Sequence, residues 1–229
     1  MKKLFAIFLA LITLLSLAAC GGNDAEVDTD ADSDNNIITE EATVQEEEDS
    51  TSAAITRGEI SGDKYVNEFI GVTFEKPSDW IFLSDDEIQD TLNYGLAVLD
   101  DENLEKTLAE AMEENANAYD MYAMDSNGNS VIVAYENTIL TSGRKLSAET
   151  YIETLCNNFD IQSAIDYTVE SQDTVMLGSS EFVRLIVTDE ANGVAFRQAY
   201  YAKAIGKYIA TFIVTLTTID LQGVEAMFS

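Results

Sequence analysis

Residues able to do chemistry are few in this 229-residue chain, and their types narrow the choices at once. Its two cysteines are Cys20 and Cys156. Cys20 follows small residues and a long apolar run, in the order Leu17-Ala18-Ala19-Cys20, a setting that suits modification of the thiol more than nucleophilic catalysis. A catalytic thiolate needs a base or a helix N-terminus to lower its pKa, and the chain has no histidine. That absence also removes histidine-based hydrolysis, imidazole-ligated zinc and histidine pH switches. Carboxylates are the opposite case. With 42 Asp and Glu against 12 Lys and Arg, acid–base work by a carboxylate pair is conceivable, yet no pair stands out from so many. The formal net charge of −30 argues against nucleic acid, whose binding needs cations to displace counterions from phosphate.

Two further sets of residues have spacing worth weighing. Asp30, Asp32, Asp34, Asn36 and Glu41 fall at the oxygen-ligand positions of a calcium loop, with Ile37 apolar at position eight. Position six is Asn35 where the turn wants Gly, and neither flank has the pattern of a helix that holds such a loop open. A loose cation cloud over an acidic segment outweighs a specific calcium site, and no metal ligand is assigned. Arg184 and Arg197 lie mid-strand; each pairs with a carboxylate at a sheet margin, or the two together hold an anionic ligand. The run from Asp85 to Glu114 has eleven acids and one base, Lys106, and reads as a solvated helical face or as a docking surface for a cationic partner.

The elements that position these residues begin with residues 1–19. Lys2 and Lys3 precede an apolar stretch from Leu4 to Leu17, the pattern of a secretory signal peptide. With the small residues before Cys20, the segment resembles the lipobox of bacterial lipoproteins. That resemblance implies cleavage before Cys20, diacylation of its sulfur, and residence on the extracytoplasmic side of a cell membrane. An uncleaved anchor, or a secreted protein with an incidental Cys20, fits less well because charged region, apolar length and small residues coincide in register. Two acyl chains hold a protein stably where one does not. With Cys20 lipidated, Cys156 has no partner, so no disulfide staples the fold. Ile152, Leu155, Cys156 and Phe159 form the buried stripe of a helix, making Cys156 a packing residue.

Residues 20–61 form an acidic tether. Residues 21–60 hold 13 acids, a single base (Arg57) and no aromatic residue, too little apolar surface to offset chain entropy. Such a coil spans roughly 35 Å and at most about 135 Å.

Residues 62–229 should form one globular domain carrying 20 net negative charges, soluble and monomeric. Phe69–Pro77 and Trp80–Leu83 read as strands. Ser84-Asp85-Asp86-Glu87 is a capping box opening a helix, and a second helix covers about 104–117. A hairpin turns at Asn127-Gly128 between strands 120–125 and 131–140. Ser147 caps a helix running to about Phe159. Strands follow at 166–175, 181–188, 194–204 and 207–217, and a short helix after Thr218. The pattern predicts an α+β fold, an antiparallel sheet covered by helices on both faces in an α/β/α sandwich. Trp80, Phe74 and Tyr65 read as core anchors, and Tyr200 and Tyr201 point to opposite sides of their strand.

Tyr65-Val66-Asn67-x-x-Ile70-Gly71-Val72-x-Phe74-x-x-Pro77-x-x-Trp80, followed by Leu83-Ser84-Asp85-Asp86-Glu87-Ile88, resembles the start of lipoproteins of low-GC Gram-positive bacteria. Their exposed domain is similar to the PsbP-like fold. The resemblance implies an antiparallel sheet between helices, no catalytic apparatus or cofactor, and a role at the side of a membrane complex; it supplies no active-site residues. The expected function is therefore that of a non-catalytic interaction module docking on an envelope protein. A small-ligand or cation-binding lipoprotein assisting a transporter is the alternative.

Overall fold

The computed structural model describes residues 55–91, 117–161, 167–191 and 194–229. Ten strands are named: β1 (Glu59–Ser61), β2 (Lys64–Asn67), β3 (Val72–Glu75), β4 (Ile81–Phe82), β5 (Asn117–Met124), β6 (Ser130–Asn137), β7 (Thr168–Leu177), β8 (Ser180–Ala191), β9 (Val194–Ile205) and β10 (Tyr208–Leu216). Three helices join them: α1 (Thr138–Ser142), α2 (Ala148–Ile161) and α3 (Leu221–Glu225). A helical segment at 85–91 opens on the capping box, where Ser84 N donates to Glu87 at 2.8 Å.

Strands β4–β10 form one sheet in the order β4-β5-β6-β10-β9-β8-β7, with every pair antiparallel. The last four strands are a meander, and Gly178 and Gly206 adopt positive φ in two of its turns. β10 closes on β6, so the chain leaving β6 must travel to the far edge before β7 begins. It makes that passage through α1 and α2.

The long strands are apolar on both sides, as a sheet buried on both faces requires. In β10, Ile209 and Ile213 face one way, while Ala210, Phe212 and Val214 face the other. The first face packs under α2, whose Tyr151, Ile152 and Leu155 are buried, together with Leu146 and Ile88. The second face packs under a separate three-stranded sheet, β1-β2-β3. Residues 227–229 run along β3, where Thr73 and Ser229 exchange backbone hydrogen bonds at 2.8 and 2.9 Å. Phe74, Phe182, Phe212 and Phe228 stack beneath this sheet with ring centroids 5.1–5.3 Å apart in successive contact. Each such burial is worth roughly 1.5–3 kcal/mol. The fold is thus α+β with antiparallel sheets; the helical cover described on the second face is the five-residue α3, and a sheet does most of the covering there.

Several boundaries differ from expectation: β5 begins at Asn117, three residues ahead of the strand expected at 120–125, and three further differences have a clear cause. The strand expected at Phe69–Pro77 is confined to 72–75, because Phe69–Gly71 turn the chain back from β2. Gly71 has φ +80°, and a Cβ there would meet Ser180 Oγ at 2.7 Å. The strand expected to reach Leu140 stops at Asn137, whose side chain caps α1 by accepting from Ile139 N at 3.2 Å. The packed structure also begins ahead of Gly62: β1 pairs with β2, and Arg57 is held by two acids. The positive charge of Arg57 and the Gly62 turn outweigh the low apolar content used to place the tether's end.

Candidate functional site

Three carboxylates are buried among the described residues. Asp125 sits in the β5–β6 turn, accepting from the Asn127 and Asn129 amides; Asp120 and Glu136 lie within strands, one on each face of the large sheet, and each of those strands is too apolar to be expected to hold an acid.

Asp120 lies in β5, where the register with β6 shifts between Tyr119 and Met121. The bulge turns the Asp120 side chain toward the small sheet, where it is 5 % exposed. Its oxygens accept from Tyr65 Oη at 2.5 Å, Gly58 N at 2.9 Å, Asn67 Nδ2 at 2.9 Å and Arg57 Nε at 3.0 Å. Arg57 also reaches Asp85 through both terminal nitrogens, at 3.0 and 2.9 Å. One guanidinium therefore ties the start of the small sheet to β5 and to the head of the 85–91 helix. Hydrogen bonding to Arg57 holds the Asp85 carboxyl below its usual range. Burial, with the nearby Asp120 charge, keeps the Tyr65 hydroxyl protonated far above its ordinary value. Asn67 completes the set, donating to Tyr135 Oη at 2.6 Å and accepting from Ile70 N at 3.0 Å.

Glu136 lies in β6 on the helical face and is 1 % exposed. Thr141 of α1 donates to its Oε1 at 2.6 Å. Burial pushes this carboxyl up to about 7, against the pull of its Thr141 and Tyr151 contacts.

The residues singled out from sequence fall as follows. Arg184 donates to both oxygens of Asp173, at 2.8 and 2.5 Å, and to Glu225 Oε1 at 2.5 Å. Tyr201 Oη also donates to Glu225, at 2.7 Å. Arg197 donates to Glu170 at 2.8 Å. In the β8–β9 ladder Arg184 opposes Tyr201 and Arg197 opposes Thr188, four residues along, which separates the two arginines by roughly 13 Å. Each is satisfied by its own carboxylate, and the two are not brought together. Tyr65, Phe74 and Trp80 are buried, and Tyr200 and Tyr201 are buried on opposite faces. Cys156 is half-buried on α2 and forms no disulfide among the described residues. Cys20, the Asp30–Glu41 spacing and positions 92–114 of the acidic run lie outside the described residues. Among the described residues no group of three or more Cys, Asp or Glu is placed to hold a metal ion, and no helix is long and apolar enough to cross a membrane.

Neither Asp120 nor Glu136 was anticipated. The available signal was an acid in an apolar, aromatic strand, as in Ala118-Tyr119-Asp120-Met121-Tyr122 and Ala134-Tyr135-Glu136. An acid at such a position is buried and must find partners or a proton.

No protein-family model matches the sequence, and no curated protein matches it. Among solved structures, the chain is similar to the solution structure of cyanobacterial PsbP (CyanoP) from Synechocystis sp. PCC 6803, with a TM-score of 0.43 at 11 % identity over 78 % of this chain and 95 % of that one. It also overlaps a crystal structure from Bacteroides thetaiotaomicron VPI-5482, with a TM-score of 0.35 at 10 % identity, covering 74 % of this chain and 48 % of that one.

Proposed function

We propose that this protein is a lipid-anchored extracytoplasmic module that docks, without catalysis, on an envelope protein or complex. One observation carries the reading: Lys2-Lys3, the apolar run Leu4–Leu17 and Leu17-Ala18-Ala19-Cys20 stand in the order that lipid modification of Cys20 requires. Cleavage before Cys20 leaves two or more acyl chains as the membrane attachment. The acidic stretch between Cys20 and Arg57 then holds a PsbP-like domain, helices on both of its faces, away from the bilayer. Arg57 fastens the end of that tether to the fold: its guanidinium is fixed on Asp85 and Asp120, and Ile55 before it packs against the second core.

Docking is supported by charge. The domain has 20 net negative charges, which repel an anionic lipid surface and attract a cationic partner over about a Debye length. The mechanism asks of the chain's own residues only that they fix the domain's orientation relative to its tether. The Arg57 fork does so with bonds to two separate elements.

The test is fractionation of cells expressing the full chain and Cys20→Ala, with crosslinking from native membranes. The expected result is wild-type protein in the membrane fraction carrying labelled palmitate, Cys20→Ala released or retained as precursor, and a crosslinked envelope protein whose recovery falls with salt. Palmitate-free wild-type protein in the soluble fraction would overturn the anchoring. Anchored protein with no crosslinked partner above control would overturn the docking.

A further inference from the structure

Glu136 faces the helical layer from β6, opposite Ile209 of β10. Tyr119 of β5 and Thr211 of β10 both oppose Ala134, two residues earlier on the same face. Thr211 in turn opposes Ala202 of β9. The row thus reads Tyr119, Ala134, Thr211, Ala202 across four strands, with small residues leaving room at alternate places. Tyr151 comes down from α2 above this row, its hydroxyl against Glu136 and Thr211. Glu136, Tyr151 and Thr211 are buried, and Tyr119 is half-buried with its hydroxyl enclosed.

This set is poorly satisfied. The Thr141 bond to Oε1 is well formed, but Glu136 Oε2, Tyr119 Oη, Tyr151 Oη and Thr211 Oγ1 are enclosed without a hydrogen bond of good geometry. The groups facing Glu136 are Tyr119 from β5, Thr211 from β10, Thr141 from α1 and Tyr151 from α2, none of them cationic. Arg144 and Lys145, in the connection between α1 and α2, are exposed. An ionised Glu136 therefore carries a buried charge that none of these four facing groups offsets. A protonated Glu136 carries none, and its O–H supplies a donor to the surrounding hydroxyl oxygens. Asp120 makes the contrast plain: it is equally enclosed, but a guanidinium and three further donors face it.

We propose that Glu136 is a proton-operated switch beneath α2. With the proton bound, α1 and α2 seat on the sheet; without it, the uncompensated charge draws in water and loosens them. The inference goes beyond the anchoring and docking reading and stands whether or not Cys20 is lipidated. It is supported by the upward displacement of the carboxyl to about 7, which places the transition where a modest change of external pH moves it.

The experiment is carboxyl-carbon NMR titration of the full chain, with the Glu136 resonance identified by its loss in Glu136→Gln. Amide hydrogen exchange of residues 151–155 is measured alongside, corrected for the intrinsic pH dependence of exchange. The expected midpoint is near 7. Protection of α2 should fall about 30-fold between pH 5.5 and 8 in the wild type and stay level in Glu136→Gln. Should Glu136→Gln fail to fold, Thr141→Val serves instead. It removes a hydrogen bond that favours the ionised form, so the midpoint should move upward. A midpoint below 5, α2 protection independent of pH, or a Thr141→Val midpoint unmoved would each overturn the proposal.

Discussion

Asp120→Asn tests the clasp at the start of the fold while changing the side-chain volume little. The carboxylate now accepts four short hydrogen bonds, three at Oδ2 (Gly58 N, Tyr65 Oη, Asn67 Nδ2) and one at Oδ1 (Arg57 Nε), with a long fifth from Tyr135 Oη at 3.5 Å. An asparagine can keep the first three only by placing its carbonyl at Oδ2, which turns its own NH2 group onto the guanidinium. One charge-assisted bond is then lost, and three fall from charged to neutral strength. Bonds to charged groups contribute about 1.5–3 kcal/mol and neutral ones about 0.5–1.5. Those losses are partly offset because an amide is less costly to bury than a carboxylate. The net destabilisation expected is about 2–3 kcal/mol, a fall of roughly 1–1.5 M in the urea midpoint for a domain of this size. Arg57 is half-exposed, so Arg57→Ala alone should cost less, about 1 kcal/mol. The double variant should fall short of the sum by at least about 0.5 kcal/mol, since the two share one bond. Urea denaturation followed by the single tryptophan, Trp80, which lies in the same core as Tyr65, reads all three. An Asp120→Asn midpoint within about 0.2 M of wild type, or strict additivity with Arg57→Ala, would refute the clasp as an energetic unit.

Other perturbations follow from the same packing. Stability should fall by about 2 kcal/mol as pH rises from 5.5 to 8, because folded Glu136 keeps its proton to about 7 while the unfolded side chain releases it near 4.5; Glu136→Gln should flatten that slope in pH-dependent urea melts. Below pH 4 the sign reverses: Asp85 and Asp125, both held below their usual range, lose their contribution as they protonate, so thermal melts should show a separate acid-side decline. Phe212→Ala should cost about 3–5 kcal/mol in the same denaturation assay, since its ring contacts both Phe182 and Phe228 at the centre of the second core. Gly71→Ala should lower the thermal midpoint by several degrees, because it combines a positive φ with a Cβ clash against Ser180.

How much of this could be read from sequence depended on whether the cause was local. The capping box at Ser84–Glu87, the Asn127-Gly128 hairpin turn and the Ser147 cap are fixed by residues within four positions, and each appears at its expected place. The four strands of the meander match within a few residues because alternation and turn residues agree. Of the small sheet only β3 was legible, within the strand expected at Phe69–Pro77. β1 and β2 are three and four residues long, with one and two apolar side chains; β2 covers the second face of a distant sheet through Tyr65, and the exposed β1 only pairs along its edge. The clasp was equally hidden, since Arg57 and Asp120 are 63 residues apart and only the β5 bulge aims the carboxylate at the guanidinium.

The same local–distant distinction separates the two acids buried within strands, Asp120 and Glu136, and their roles diverge because of what faces each. Asp120 opposes a part of the chain that can bring a cation, since the tether must enter the fold somewhere and Arg57 is its last charged group before β1. Its bonds to Arg57, Gly58, Tyr65 and Asn67 are lost only when the chain pulls free, which suits a fixed attachment point. Glu136 opposes hydroxyl groups that belong to the sheet and to α1 and α2. None of them brings a positive charge, so the burial cost falls on the ionised state alone. Replacing Thr141 or Tyr151 with a basic residue should therefore move the Glu136 midpoint down and close the second site more firmly. If Tyr151→Lys instead kept a carboxyl midpoint near 7, the uncompensated charge would not be what sets it, and the division between a clamp on one face and a titrating seat on the other would fail.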